Sequence, residues 1–117
     1  MKINEIQTLL SANVLTCQDQ LDRDVHSACG SDMMSDVLAF VKDQAVLLTG
    51  LVNPQVVRTA EMMDMVCIVF VRDKKPSAEI GALAEENGIV VMTTAHRMYD
   101  ACGILYQNGL QGAVVHG

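Results

Sequence analysis

Three short apolar runs, separated by amphipathic segments, constrain the fold of this chain more than any other feature. They cover residues 46–49, 66–71 and 89–93 and consist mainly of branched aliphatic side chains. Runs this short are typical of strands buried on both faces, because a helix needs a longer stretch with apolar residues at a period of about 3.6. A helical pattern follows each run. The alternation therefore predicts an α/β fold with a mainly parallel sheet and crossover helices.

The residues before the first run predict two helices and a pair of strands. Apolar residues at helical spacing indicate a first helix that ends near residues 11–13. The extended segments 14–17 and 24–29 flank a polar turn and are predicted to pair as an N-terminal β-hairpin. Ser31 or Asp32 is predicted to cap a second helix that ends near residues 42–43. Its predicted buried face consists of Met34, Val37, Leu38 and Val41, which follow the spacing of one side of a helix.

The later helices have recognisable boundaries. Asn53 followed by Pro54 is a strong start signal, because a capping side chain precedes a residue that needs no N–H group there. The next helix follows Ser77 and stops at Gly88, since glycine accepts a left-handed conformation. The last helix ends before residues 108–109, and residues 111–117 form either a short strand or a frayed tail. We expect one three-layer domain over residues 1–117, because 117 residues with 50% hydrophobic content enclose a single core.

Composition limits the partners and the compartment. A net charge of −6 argues against nucleic-acid binding, which requires an excess of Lys and Arg. The N-terminus lacks the apolar core of a signal peptide, and no stretch is long enough for a membrane span, so we expect a cytoplasmic protein with no membrane contact. The cysteines are widely spaced and predict free thiols, without a metal site or any other cofactor. They are Cys17, Cys29, Cys67 and Cys102.

Methionine is over-represented, with eight Met against two Phe, two Tyr and no Trp. Flexible thioether side chains fill irregular cores and also form adaptable interfaces. Two interpretations stay open for the clustered methionines: they are core residues, or some of them cover a homodimer contact. The cluster consists of Met33, Met34, Met62, Met63 and Met65.

A ligand is expected at the carboxyl ends of the parallel strands, where open sheets of this class bind their ligands. The segments that follow the three runs lead into helix amino termini, whose free N–H groups favour a phosphate or a carboxylate. Threonine hydroxyls would add hydrogen-bond donors. We therefore expect a site for a nucleotide or another small anion. Its candidate residues are Thr49, Gly50, Asn53, Thr93, Thr94, His96 and Arg97.

Catalytic motifs are missing from the chain. It contains no phosphate-binding loop, no dinucleotide fingerprint and no nucleophile elbow. Neither His26 nor His96 has a cysteine or carboxylate at a spacing that enforces contact. Asp32 and Asp36 are four residues apart and form either a metal pair on one helix face or an exposed acidic first turn; no metal is expected. The chain is therefore predicted not to be an enzyme.

Several stretches resemble a known family. The run 14–17 together with 21–25, the Ser-Asp-x-x-Ser-Asp-Val run at 31–37, the strand end 47–50 and the segment 84–91 resemble a stand-alone DRTGG domain. This module is also found between CBS domains and is related to the amino-terminal domain of HPr kinase/phosphorylase. The Asp-Arg-Thr-Gly-Gly string itself does not appear, and residues 49–53 occupy the corresponding strand end.

The resemblance implies a regulatory function. The leading hypothesis is a homodimeric, non-catalytic module that senses a ligand or binds a protein partner in a metabolic or redox system. The alternative is a small enzyme acting on a phosphorylated or nucleotide substrate, with His96, Arg97, Thr49 and Asn53 around its pocket.

Overall fold

A computed structural model of the protein describes residues 1–40 and 42–112. The helices are α1 (Ile3–Leu10), α2 (Met34–Leu38), α3 (Pro54–Met62), α4 (Ala78–Glu86) and α5 (Met98–Gln107). The strands are β1 (Asn13–Val14), β2 (Ser27–Gly30), β3 (Ala45–Thr49), β4 (Cys67–Phe70) and β5 (Val90–Thr93), and a short 3₁₀ turn covers Gln18–Gln20.

The strands form one sheet in the order β1-β5-β4-β3-β2. Strands β2 to β5 are parallel, and β1 pairs antiparallel with β5 at one edge. Each parallel strand lies beside the previous one, always on the same side. Right-handed crossovers therefore place all the connecting helices on one face of the sheet.

Two apolar cores confirm this arrangement. Residues of α2, α3 and α4 pack on one face, against Leu47 of β3 and Ile68 of β4. Residues of α1 and α5 pack on the opposite face, against Val46 and Val69. The predicted three-layer α/β fold with a mainly parallel sheet is therefore confirmed.

The predicted N-terminal hairpin is wrong. Strand β1 pairs with β5, whereas β2 pairs with β3 at the opposite edge. The Thr16 hydroxyl strengthens the first pairing, because it donates to the Ile89 carbonyl (2.7 Å) and accepts from the Val91 N–H (2.8 Å). Two extended apolar segments do not specify their partners, and the buried parallel strands offered both of them a better-packed edge.

The second predicted helix is much shorter than its apolar pattern suggests. Helix α2 has five residues, of which only Val37 is buried, and Leu38 is 43% exposed. Its N-cap residue is Met33, not Ser31 or Asp32, and no side chain caps it. Asp32 lies before the helix, so it shares no helix face with Asp36. The predicted position Val41 lies outside the described residues.

The other helix boundaries agree with the sequence. The Asn53 carboxamide oxygen accepts from the Gln55 N–H (2.8 Å), and the Ser77 hydroxyl accepts from the Ile80 N–H (3.3 Å). Gly88 has a φ of 67°, the left-handed conformation expected for it.

Near the end of the described chain, the Gln111 carbonyl accepts a hydrogen bond from the Ala28 N–H on the outer edge of strand β2 (3.0 Å). The question of a terminal strand concerns mainly residues 113–117, outside the described part.

Candidate functional site

The carboxyl ends of the parallel strands bring the two halves of the candidate site to one edge of the sheet. Thr49, Phe70 and Thr93 lie in one row, with β4 between the ends of β3 and β5. Phe70 belongs to the core under α3 and α4. Residues in one row of a sheet point to the same face, so Thr49 and Thr93 are directed toward that side. Thr94 lies on the opposite side, where its hydroxyl reaches α1.

An internal carboxylate holds the turn after β3. The Asp32 Oδ1 atom accepts from the Gly50 N–H (2.6 Å) and from the Thr49 hydroxyl (3.1 Å). The same Thr49 hydroxyl accepts from the Leu51 N–H (3.1 Å). A Cβ added to Gly50 would lie 2.8 Å from an Arg72 guanidinium nitrogen, so this side chain packs against the glycine. Asp32 thus occupies the place where an anion would meet the donors of the turn.

The loops that follow β4 and β5 lead to opposite faces of the sheet, because α4 lies on one face and α5 on the other. Such a switch point normally opens a crevice for ligands. Here the two loops are joined: the Arg72 N–H donates to the His96 carbonyl and the Asp73 N–H to the Thr94 carbonyl, both at 2.9 Å. Arg72 and Asp73 adopt left-handed φ angles of 61° and 56° to make these bonds. The crevice is therefore bridged by backbone.

The remaining candidate side chains differ in what they can contact. The Thr94 hydroxyl is used internally: it donates to the Leu10 carbonyl (2.7 Å) and accepts from the His96 N–H (3.3 Å). Thr93 is buried. Asn53 caps α3 with its oxygen. Arg97 is exposed at the start of α5, where no side chain forms a cap. Arg97 and the amino terminus of α5 are therefore the groups best placed to meet a ligand, because the first N–H groups of α3 are already bound within its own cap.

Positive charge is concentrated at this edge. The chain has eight Lys and Arg residues against fourteen Asp and Glu. Half of the basic residues lie in the two loops that follow β4 and β5, and all of these are exposed: Arg72, Lys74, Lys75 and Arg97. The two loops thus form a basic edge, with four positive charges against the one negative charge of Asp73, although the Asp32, Glu79 and Asp100 carboxylates lie at the same end of the strands. A local excess of positive charge attracts small anions.

A polar pocket of about 610 Å³ lies at the other end of the parallel strands, where their amino ends meet the preceding loops. There the Asp43 carboxylate accepts from the Ser27 hydroxyl (2.9 Å) and the Gln44 N–H (2.8 Å), and His26 Nδ1 lies 3.1 Å away. Burial alone would raise the pKa of Asp43, but these hydrogen bonds outweigh it and hold the pKa below its usual value. Asp43 is thus kept ionised by its neighbours.

An apolar groove of about 1130 Å³ runs along the outer surface of α5. His96 lines it together with Met98, Tyr99, Cys102 and Tyr106. Neither this groove nor the polar pocket at the amino ends of the strands combines His96 with Thr49 or Asn53. The candidate residues therefore share an edge of the sheet but not a pocket.

The thiols are not activated. Burial raises the pKa of Cys17 and of Cys29 to about 11. It raises the pKa of Cys67 still further and also raises that of Cys102. Protonated thiols are poor nucleophiles and poor metal ligands at neutral pH. Within residues 1–40 and 42–112, no three His, Cys, Asp or Glu side chains are grouped closely enough to hold a metal ion.

Sequence reasoning missed Asp32 as a member of this edge, and it placed Arg72 in a segment at the edge without counting it among the ligand residues. Asp32 follows β2, and the carboxyl-end rule would have included it if β2 had been placed in the parallel sheet instead of a hairpin. Arg72 was visible directly after the 66–71 run, but its position over Gly50 depends on the left-handed turn.

Comparisons with known proteins agree with this fold. A family model described as the DRTGG domain matches residues 5–107. A similar solved structure contains the CBS and DRTGG domains of the regulatory region of Clostridium perfringens pyrophosphatase, in complex with the activator diadenosine tetraphosphate. The two share 21% identity with a TM-score of 0.74, over 91% of this chain and 46% of that chain.

This chain therefore spans less than half of that structure, and the likeness concerns the fold. The search of curated proteins finds no match. No helix in the described ranges has the length and apolar character needed to cross a membrane. Since the family model covers most of its length, the chain belongs to the DRTGG domain family.

Proposed function

We propose that this chain is a regulatory module that binds a small anion, with nucleotides as the first candidates, and that it acts as a homodimer. The observation that carries the ligand proposal is the basic edge. Four exposed basic side chains and the uncapped amino terminus of α5 lie there, in a chain of net charge −6. The similar regulatory region from Clostridium perfringens is complexed with a nucleotide activator, which supports nucleotides as the class to test.

The proposed site keeps the residues expected from the sequence but divides their roles. Arg97 and the free N–H groups at the start of α5 would bind the ligand, and His96 and Asn53 would contact its outer parts. Thr49, Gly50 and Thr94 hold the loops in place through internal hydrogen bonds, and Thr93 is buried in the same row of the sheet as Thr49. Because Asp32 already accepts from Gly50 and Thr49, a ligand would approach from the side of Arg97.

The enzyme alternative is not favoured by an observation. It needs His96 beside Thr49 and Asn53, whereas His96 lines the apolar groove on α5. A protein partner in a metabolic or redox system is the second candidate, to be tested by a pull-down if no anion raises the Tm.

Thermal melting tests the ligand proposal. The full chain is melted with ATP, diadenosine tetraphosphate, acetyl phosphate or polyphosphate. A ligand at about 100 times its Kd adds about 2.7 kcal/mol of stability, which raises the Tm by several degrees for a domain of this size. We expect a nucleotide to raise the Tm of the wild-type chain in this way.

Two variants test where the ligand binds. Arg97→Gln and Asn53→Asp are expected to reduce the Tm shift to less than half, the second because Asp still caps α3 but repels an anion. Arg58→Gln is the matched control, since Arg58 is exposed within α3 and its loss changes the net charge equally. Equal Tm shifts in all variants would show that the ligand binds elsewhere on the chain. The absence of a Tm shift with every anion would overturn the proposal.

A further inference from the structure

Helix α5 presents both tyrosines of the chain to solvent. Tyr99 is 87% exposed and Tyr106 is 63% exposed. Between them lies Gly103, where an added Cβ would meet no atom within 4 Å. Exposed aromatic rings on either side of a small residue are unusual on a free surface, because buried tyrosines are among the strongest contributors to interfaces.

We propose that this face of α5 is the contact between two copies of the chain, packed antiparallel about a twofold axis beside Gly103. The inference rests on the homodimer of the proposed function and names its surface. It does not depend on the ligand.

The spacing of the face is self-complementary. Tyr99 and Tyr106 lie at equal distances from the midpoint between Cys102 and Gly103. A twofold axis at this midpoint places each Tyr99 against the other copy's Tyr106. In a closed dimer, each contact must occur twice in this way. The open space around Gly103 allows the two helix backbones to approach closely at the centre.

Charge favours a second copy at this face over other faces of the molecule. Two chains of net charge −6 repel each other unless they meet at an uncharged surface. Asp100 is the only acidic residue of α5, and it lies about 100° around the helix from Tyr99.

The available area is of the right order. With roughly 200 Å² for a whole tyrosine side chain, the two exposed fractions leave about 300 Å² on each copy. A stable contact buries about 800 Å² on each partner. The tyrosines thus supply more than a third of it, and the flanking Met98, Ile104 and Gln107 line the same groove.

Analytical ultracentrifugation of the full chain tests the contact with a matched pair of variants. In the dimer, Gly103→Glu would place two negative charges at the centre of the contact, one from each copy. Gly81→Glu is the control, because Gly81 lies in α4 on the other side of the sheet and also has no atom within 4 Å of an added Cβ. Both changes raise helix propensity, so neither should disturb the fold.

We expect the wild-type chain and Gly81→Glu to sediment at twice the monomer mass of 12.7 kDa. Gly103→Glu should raise the dimer Kd at least 100-fold. Tyr106→Glu, at an exposed position, should do the same, and its melting curve shows whether it is folded. A dimer that survives both changes, or that is lost only in Met62→Glu on α3, would overturn the inference.

A wild-type chain that is monomeric at high micromolar concentration would overturn both this contact and the proposed homodimer. The anion proposal would stand or fall separately, by the melting shifts.

Discussion

At the scale of single residues, Asp43 shows how hydrogen bonds keep a carboxylate ionised at a position outside the candidate site. Its carboxylate accepts from Ser27 and from the Gln44 N–H, and His26 lies beside it. Because the folded state lowers its pKa, the ionised carboxylate stabilises the fold at every pH above the unfolded value of about 3.9. This contribution is lost as the pH falls from there through the lower folded pKa.

Asp43→Asn is therefore expected to lower the free energy of unfolding at pH 7. The loss is roughly 1 kcal/mol, because partial exposure weakens hydrogen bonds to a charged group. The gap between variant and wild type should narrow below about pH 4 and close only once the pH has fallen through the lowered folded pKa, because Asp43 is then neutral in both states. Urea unfolding at pH 7, 5 and 3 measures it, with Asp22→Asn as an exposed control. A gap that is constant with pH would contradict the assignment.

Individual side-chain roles were only partly predictable from the sequence. Asn53 and Ser77 were expected to cap helices and do so, because a cap depends on residues within one turn of the chain. Thr94 was expected to offer its hydroxyl to a ligand, but the hydroxyl binds the Leu10 carbonyl, 84 residues away in sequence. No local pattern reports such a partner.

At the scale of elements, the loop between β2 and α2 depends on Asp32. Asp32→Ala leaves the Gly50 N–H and the Thr49 hydroxyl without their acceptor. We expect a loss of about 1–2 kcal/mol in the free energy of unfolding, the usual cost of an unpaired polar group near the core. Chemical denaturation measures it. Asp36→Ala removes the same charge from an exposed position in α2 and should change the stability by less than about 0.5 kcal/mol. Equal effects of the two variants would show that charge, not the turn, is responsible.

The same loop explains which elements the sequence predicts poorly. Helices α3 and α4 are long and capped locally, so their bounds follow from the chain itself. Helix α2 has an apolar pattern of the right period, but one of its two predicted caps, Asp32, accepts a hydrogen bond from the Gly50 N–H instead. Strand β2 lies at a sheet edge whose identity depends on the parallel strands that fold beside it. Contacts between distant segments decided both elements.

At the scale of the whole molecule, one rule links the topology to the site. Strands that advance in one direction place α2, α3 and α4 on one face, and only α5 turns to the other. The three buried runs predicted this sheet, because their composition leaves few alternatives. They did not predict that backbone hydrogen bonds bridge the switch point, because this bridge depends on the left-handed turn at Arg72 and Asp73.

Of the clustered methionines, Met63 and Met65 are core residues, whereas Met33 and Met62 are exposed.

The position of the anion site is the central claim, and titration of the ¹⁵N-labelled chain with ATP in a heteronuclear NMR experiment tests it most directly. We expect the largest amide shifts at Arg97, Met98 and Tyr99, because these residues form the uncapped amino terminus of α5. Shifts confined to the amino-edge pocket around Arg23 and Asp43, or no shifts at millimolar ATP, would contradict the account.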